Sequence, residues 1–173
     1  MSSSFRIRRL DPAEARRAAP ALAGVLLDCV AAGASVSFMA DLTRDAAEAF
    51  WREVAEATDG RALLVAEDDT GVFGTVQVVP AWSPNQPHRA DIAKLLVHRR
   101  GRNRGVGQAL MAAAEAAARD LGRTVLMLDT ITGEAGERLY ARMGWVRVGE
   151  IPDFALMPDG RPAATTIFYK ALG

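Results

Sequence analysis

One segment constrains this chain more than any other. Ile92 to Val97 is an apolar run broken only by Lys94, and it leads through His98-Arg99-Arg100-Gly101-Arg102-Asn103-Arg104-Gly105 into a helix-forming stretch, Val106 to Leu121. A strand therefore hands over to a helix through a turn rich in glycine and arginine. At such a helix start the first N–H groups have no intrahelical partner and the macrodipole adds roughly half a positive charge, so the junction is a seat for an anion. Gly105 and Gly107 allow that anion to approach the backbone closely. The spacing narrows the choice of ligand. A Walker loop needs a Gly-Lys-Ser/Thr that is absent here. A dinucleotide fingerprint needs a third glycine where Leu110 stands, and an early βαβ unit that this pattern lacks. Arg99, Arg100, Arg102 and Arg104 also fit a solvated basic turn or a local nucleic-acid patch.

Composition sets the frame for that turn. The 173 residues are half hydrophobic and 24% charged, which suits one domain, residues 1–173, with a proper core. Lys+Arg and Asp+Glu both number 21, so the basic turn is a local exception rather than a global footprint for nucleic acid or anionic lipid. The single cysteine, Cys29, excludes an internal disulfide and a cysteine-based metal cluster. Its neighbours Leu22, Val25, Leu26 and Val30 recur at helical spacing, which makes it a small buried hydrophobe. His88 and His98 lack ligand partners at metal spacing, so no metal is expected. Met1 to Leu10 has no apolar leader pattern, and no run approaches the ~20 apolar residues of a membrane span, so a cytoplasmic protein is expected.

The elements follow in an informative order. Phe5 to Arg9 alternates like a strand. Asp11-Pro12-Ala13-Glu14 supplies an N-cap, a proline at the first helical position and an acid three residues after the cap. The helix so started is expected to kink or restart at Pro20 and to stop near Gly33. A second helix, Arg44 to Thr58, buries Phe50, Trp51 and Val54. Ala62 to Glu67 and Val72 to Val79 form a hairpin around Asp68-Asp69-Thr70-Gly71. Then come strand Ala90 to Val97, the glycine turn, the helix to Leu121, strand Val125 to Thr130 and a short helix from Gly136 to Met143. Strands Trp145 to Ile151 and Thr165 to Ala171 close the chain.

Arg102-x-x-Gly105-x-Gly107 after a strand ending in Val97 resembles the acyl-CoA pyrophosphate loop of the GNAT superfamily of N-acyltransferases. The element order resembles that superfamily over essentially the whole chain. The resemblance implies an α/β (α+β) fold: a mixed, mostly antiparallel seven-stranded sheet, four flanking helices, and a splayed cofactor cleft between the fourth and fifth strands. Leu139-Tyr140-Ala141-Arg142-Met143-Gly144-Trp145 is similar to the Leu-Tyr-x-x-x-Gly-Phe segment of the family, in which the tyrosine stands beside the thioester sulfur. Read from the residues alone, Tyr140 is also an ordinary core aromatic on a short amphipathic helix. Gly33 to Leu42, Leu126 to Thr130, and Pro158-Asp159-Gly160-Arg161 through Phe168-Tyr169-Lys170-Ala171-Leu172 resemble the tabtoxin resistance acetyltransferase group. Three positions depart from the common family pattern: Asn103 replaces glycine, Arg99 replaces proline, and Gly133 replaces asparagine.

The resemblance implies roles for individual residues. Acetyl-CoA would be the acetyl donor, with Arg102, Asn103, Arg104, Gly105, Val106, Gly107 and Gln108 at its pyrophosphate. Leu95, Leu96 and Val97 would pair with its arm as a sheet edge pairs with an added strand, and one of them would supply the oxyanion N–H. Tyr140 would serve the departing thiolate as acid, and direct attack by an amine requires no covalent enzyme intermediate. For the base two carboxylates qualify. Strict alternation puts Asp91 on one face with Ala93, Leu95 and Val97, and Asp129 ends the neighbouring strand. An aspartate in an apolar strand needs a partner or a raised pKa. Asp91 could equally pair with Lys94 or Arg89, and Asp129 could cap the turn that follows it.

Ser35, Phe38, Met39 and Asp41 lie in a segment too apolar for an ordinary turn. They are expected to fold over the acceptor, to staple the second helix, or to meet a second copy. Trp82 and Trp145 are candidates for the pocket wall. The expected acceptor is a small primary amine, plausible as an amino-acid-like toxin, with no nucleic acid or membrane partner, in a monomer or homodimer. A non-catalytic acyl-CoA sensor and a protein N-acetyltransferase are the alternatives.

Overall fold

The computed structural model describes residues 4–173. Met1 to Ser3, part of the N-terminal stretch considered above, lie outside the described residues. In chain order the elements are β1 (Arg6–Arg9), α1 (Pro12–Ala31), α2 (Arg44–Glu56), β2 (Ala62–Asp68), β3 (Gly71–Pro80), β4 (Arg89–Val97), α3 (Val106–Asp120), β5 (Val125–Ile131), α4 (Ala135–Arg142), β6 (Val146–Leu156) and β7 (Pro162–Ala171). A short 3-10 turn, Arg99–Gly101, joins β4 to the loop before α3.

Local chemistry accounts for most of these boundaries. At the start of α1 the Asp11 carboxylate accepts the Glu14 N–H at 2.7 Å, and the Glu14 carboxylate accepts the Asp11 N–H at 2.9 Å. That reciprocal cap satisfies two donors at the helix start. The expected break at Pro20 does not occur. Pro20 lies inside a continuous helix of 20 residues. It sits on the exposed side, while Ala19, Leu22, Ala23 and Leu26 are fully buried on the other, so packing offsets the one backbone bond that proline forfeits. α2 is capped by Thr43 and ends at Glu56, short of the expected Thr58. β6 and β7 outrun their expected ends at Ile151 and Thr165, because the hairpin keeps pairing through Ala155 with Ala163 and Leu156 with Pro162.

The sheet runs β1-β2-β3-β4-β5-β7-β6, and only β4 and β5 are parallel. One face carries α3 and α4 over a core that includes Val76, Ile92, Leu110, Leu126, Tyr140 and Phe168. The other face carries α1 and α2 over Leu22, Leu26, Trp51, Val65 and Leu96. β6 is the last strand of the sheet and leaves Val146, Val148, Phe154 and Leu156 exposed.

Two irregularities in β4 decide what the sheet can hold. Its pairing with β5 covers only Arg89, Ala90 and Asp91 against Val125, Leu126 and Met127. Beyond that point β4 stays with β3 as far as Val97, β5 stays with β7 as far as Ile131, and the two strands part. The second irregularity is a bulge. Thr75 pairs with Leu96 and Gln77 with Ala93, so Val76 opposes both Lys94 and Leu95, and Lys94 takes φ +51°.

The bulge overturns the strict alternation expected for β4. Ala90 and Ile92 pack in the α3/α4 core, and after the bulge Leu95 and Val97 do so too, whereas Leu96 packs in the α1/α2 core. Asp91 therefore does not share a face with Leu95 and Val97. One extra residue in the strand reverses every side chain beyond it.

A polar knot closes the α3 face. Glu115 is buried on α3, accepts the indole N–H of Trp145 at 3.0 Å, and accepts both of its ion-pair contacts from the Lys170 ammonium at 2.8 Å. Lys170 also donates to the Met143 carbonyl at 2.8 Å, which fastens the end of α4 to β7. Glu115→Ala would leave the indole and the ammonium without their acceptor. It should destabilise the protein by about 3 kcal/mol, read as a lower urea midpoint; a midpoint within experimental error of the parent would contradict the assigned role.

Candidate active site

The turn after β4 is built as a donor surface. Gly105 takes φ +75° at the N-cap of α3, a left-handed conformation that glycine adopts without strain, and no side chain caps the helix. The N–H groups of Val106, Gly107 and Gln108 are consequently presented outward, and nothing lies within 4 Å of where a Gly105 side chain would begin. Asn103 takes φ +59° and turns the chain toward that start.

The arginines of the turn are engaged by the protein around them. Arg99 donates its backbone N–H to Asp28 at 2.8 Å and its guanidinium to the same carboxylate. Arg100 donates to Asp68 at 2.9 and 3.0 Å, to Thr70 at 2.7 Å and to the Gly71 carbonyl at 2.7 Å, and its guanidinium lies 4.4 Å from the Phe73 ring centroid. These two hold the turn. Arg102 donates to the Val97 carbonyl at 3.3 Å, with its guanidinium 3.9 Å from Asp28. Arg104 stacks beside Phe5 and Phe73. Gly101 is needed for packing, since a side chain there would run into the Phe73 ring.

Asp28 is the functional residue that the sequence reading missed. It sits near the end of α1 with its side chain 7% exposed, and Arg99, His98 and Arg102 converge on it. Burial pushes its pKa up, but the two hydrogen bonds from Arg99 and the charge of His98 outweigh that and hold the carboxyl below its ordinary range. The available signal was an aspartate inside the apolar stripe Leu22, Val25, Leu26, Cys29 and Val30. Cys29 itself is buried as expected, its thiol 3.6 Å from the Val97 carbonyl.

Where β4 and β5 part, a cavity of about 560 Å³ opens. Ile92 to Leu95 and Leu128 to Ile131 form its strand walls, Tyr140 reaches it from α4, and Ser35 to Met39 with Phe154 to Leu156 cover it. It thus runs from the α3/α4 face toward the loop joining α1 and α2. That loop is tied down across it: the Ser35 hydroxyl donates to the Leu156 carbonyl at 2.8 Å, and the Ala40 N–H donates to the Pro158 carbonyl at 3.1 Å. Of the four acceptor candidates, Ser35, Phe38 and Met39 line the cavity, while Asp41 is exposed and outside it. Neither tryptophan candidate lines it. Trp82 is exposed on the β3–β4 loop and Trp145 is engaged with Glu115.

The titratable candidates separate clearly. Tyr140 is buried, with its ring 6.0 Å from Trp145 and 5.9 Å from Phe168. Burial, with the Asp129 charge adding, pushes its phenol up to about 12. It is thus both a core aromatic and part of the cavity wall. Asp129 opens into the cavity, yet the surrounding protein desolvates it and raises its pKa, with Lys94 opposing the shift. Asp91 pairs with Arg89 at 2.5 Å, as one sequence alternative held, and lies outside the cavity wall. Lys94, expected as a break in the apolar run and as one possible partner of Asp91, makes no ion pair with it and is part of that wall. Among the described residues no group of histidine, cysteine and carboxylate side chains is arranged to hold a metal, and no helix is long and apolar enough to cross a membrane.

A mixed sheet whose parallel pair splays beside an uncapped helix start is the architecture of N-acetyltransferases. The chain belongs to the acetyltransferase (GNAT) family, whose model matches residues 32–145. Among solved structures, a candidate phosphinothricin N-acetyltransferase superposes with a TM-score of 0.83 at 22% identity, over 98% of this chain and 99% of that one. The ribosomal-protein-alanine N-acetyltransferase of Brucella melitensis gives 0.80 at 23% identity, over 96% and 99%. The candidate acetyltransferase yncA of Salmonella typhimurium, solved with its cofactor acetyl-CoA, gives 0.79 at 20% identity, over 99% and 95%.

If Asp28 anchors the turn, Asp28→Asn should cost about 2 kcal/mol at neutral pH, the worth of its charge-assisted hydrogen bonds. Because the folded pKa is depressed, that stabilisation is fully present above the unfolded carboxylate value of ~3.9 and is lost as pH falls through the folded value. Denaturation curves of the two proteins should differ by a constant amount between pH ~7 and ~5 and converge below ~4; a gap that does not narrow in acid would argue against the ionised anchor.

Proposed function

We propose that the protein is an acetyl-CoA-dependent N-acetyltransferase for a small primary amine, with an amino-acid-like toxin or antibiotic of the tabtoxin kind as the acceptor class. The observation that carries this reading is the cavity where β4 and β5 part, with Tyr140 and Asp129 both in its wall and the α1–α2 loop tied across it. The covered cavity favours a small acceptor over a protein N-terminus, which would need an open groove.

The fit of an acyl-CoA rests on two features. The uncapped N–H groups of Val106, Gly107 and Gln108, with Gly105, Asn103, Arg102 and Arg104 around them, suit a pyrophosphate. The edge of β4 that faces away from β3, from Leu95 to Val97, suits the amides of an extended arm, and its N–H groups suit a thioester oxygen. His98 donates its N–H to the Phe73 carbonyl on β3, and Leu96, two residues earlier and opposite Thr75, faces β3 in the same way, so the pairing falls to Leu95 and to the Val97 N–H, the Val97 carbonyl being engaged by Arg102 and Cys29.

Asp129 is the better placed base. It lines the cavity and burial raises its pKa, which makes it a stronger base than an ordinary aspartate, whereas Asp91 is held by Arg89 outside the cavity wall. In the transfer, the amine nitrogen forms a bond to the acetyl carbonyl carbon and the carbon–sulfur bond breaks. Asp129, directly or through water, takes the proton from nitrogen and passes it to solvent, and the sulfur leaves as a thiolate that takes its proton from solvent water. Tyr140 does not surrender its own proton outright. A phenol near 12 lies above a thiol at ~8.5, so full transfer would be uphill. Its O–H instead donates a hydrogen bond to the sulfur as negative charge develops there.

Thiol release from acetyl-CoA, followed with a panel of primary amines, tests this. Tyr140→Phe should lower kcat about 100-fold with the acetyl-CoA KM little changed. Asp129→Asn should lower the rate and abolish the acid limb of the pH profile. Tight acetyl-CoA binding without turnover of any amine would make the protein a cofactor-binding sensor instead.

A further inference from the structure

Lys94 is the one cation that reaches the cavity between β4 and β5 from its strand walls, and its surroundings are unusual for a charged group. The bulge at φ +51° throws it out of the regular β4 pattern. Its ammonium donates to the Ser37 hydroxyl at 3.0 Å and lies 5.9 and 5.8 Å from the ring centroids of Phe38 and Phe50. A neutral hydroxyl and two aromatic faces are its partners; among the described residues no carboxylate comes within ion-pair distance. Ser37 also holds a strained backbone, at φ +74°, so two residues in the left-handed region meet at this one contact.

A partly buried ammonium without a counter-ion is an incomplete arrangement, because buried charges are ordinarily paired. Asp129 lines the same cavity and interacts with Lys94 through its charge alone, without an ion-pair contact. Burial lowers the pKa of Lys94 and raises that of Asp129, and each charge partly offsets the shift of the other. The cavity thus offers a positive and a negative wall with space between, the complement of a zwitterion.

We propose that Lys94 anchors the carboxylate of the acceptor, so that the preferred substrates are α-amino acids and close analogues whose amine then faces Asp129. This rests on the acetyl-transfer reading above and sharpens its substrate class. Phe38 and Met39 supply apolar wall for the side chain of such an acceptor. Polycationic amines are disfavoured, since any second ammonium would approach Lys94.

The test pairs each of several α-amino acids with the primary amine that lacks its carboxylate, in acetyl transfer and in calorimetric binding to protein saturated with CoA. The parent protein should prefer the amino acid of each pair. Compared at the pH plateau of each protein, because removing the Lys94 charge also shifts Asp129, Lys94→Gln should raise the amino-acid KM at least about tenfold and change the KM of the paired plain amine far less. Lys94→Arg should restore part of the preference. Ser37→Gly removes the hydroxyl without touching β4, and should weaken amino-acid binding alone by a few fold if Lys94→Gln folds poorly.

Equal use of both members of each pair, or an unchanged amino-acid KM in a folded Lys94→Gln, overturns the anchor while leaving acetyl transfer intact. Lys94-dependent binding of amino acids with no transfer to any amine overturns the enzymatic reading and keeps the anchor. Failure of every amino acid to bind or react overturns the anchor as well.

Discussion

The point at which β4 and β5 stop pairing governs the rest of the molecule. Three residue pairs hold the strands parallel, and then each follows its other neighbour. A sheet continued as a ladder would have filled the gap with backbone hydrogen bonds and left no place for a ligand. Parting them instead leaves a length of β4 edge on the side away from β3. Such an edge is costly if it stays unpaired in a protected place, so it favours an extended partner that can bond to it. The same separation lets side chains from both faces, Tyr140 on one and Lys94 on the other, enter a single cavity.

Electrostatics place the anion seat rather than merely charging it. A net charge of zero leaves no long-range field, so the turn after β4 must concentrate its donors locally. Asp28 and Asp68 draw Arg99 and Arg100 inward and fix the path of the chain. With that path fixed, the backbone N–H groups at the start of α3 face outward. Preorganised amides need no reorientation when an anion arrives, so arginines that brace the turn would serve an anion there by holding the amides in place.

Regular periodicity made the fold legible. The order of seven strands and four helices follows from apolar spacing, caps and the glycine turn, whereas the cleft between the fourth and fifth strands was implied by the family resemblance alone. Pro20 misled because tertiary packing of Leu22 and Leu26 overrides a local breaking signal. Of the residues singled out, Gly105 does stand at the start of α3, and Tyr140, Ser35, Phe38 and Met39 do line the cavity, while Asp41 does not. Lys94 was not among them. Its bulge places a non-glycine residue at positive φ, and nothing in an alternating strand pattern marks where a bulge falls. The same slip misplaced Asp91 relative to Leu95 and Val97. Asp28 was hidden for another reason: its partners Arg99 and His98 are distant in sequence and meet it only in the folded chain.

Strain is distributed in a way that bears on function. Four non-glycine residues take positive φ: Ser37, Lys94, Asn103 and Asp153. Ser37 and Lys94 touch each other over the cavity, Asn103 shapes the turn before α3, and Asp153 precedes the Phe154 to Leu156 wall. Each conformation costs on the order of 1 kcal/mol, and a fold with no ligand to hold would lose nothing by placing glycine there. Retaining a side chain at these positions makes sense where the side chain itself is needed. For Lys94 the need is charge in the cavity, since glycine would satisfy the bulge and lose the ammonium. Strain and unpaired charge at the same residue therefore point to one requirement, a cation held in place before the acceptor arrives.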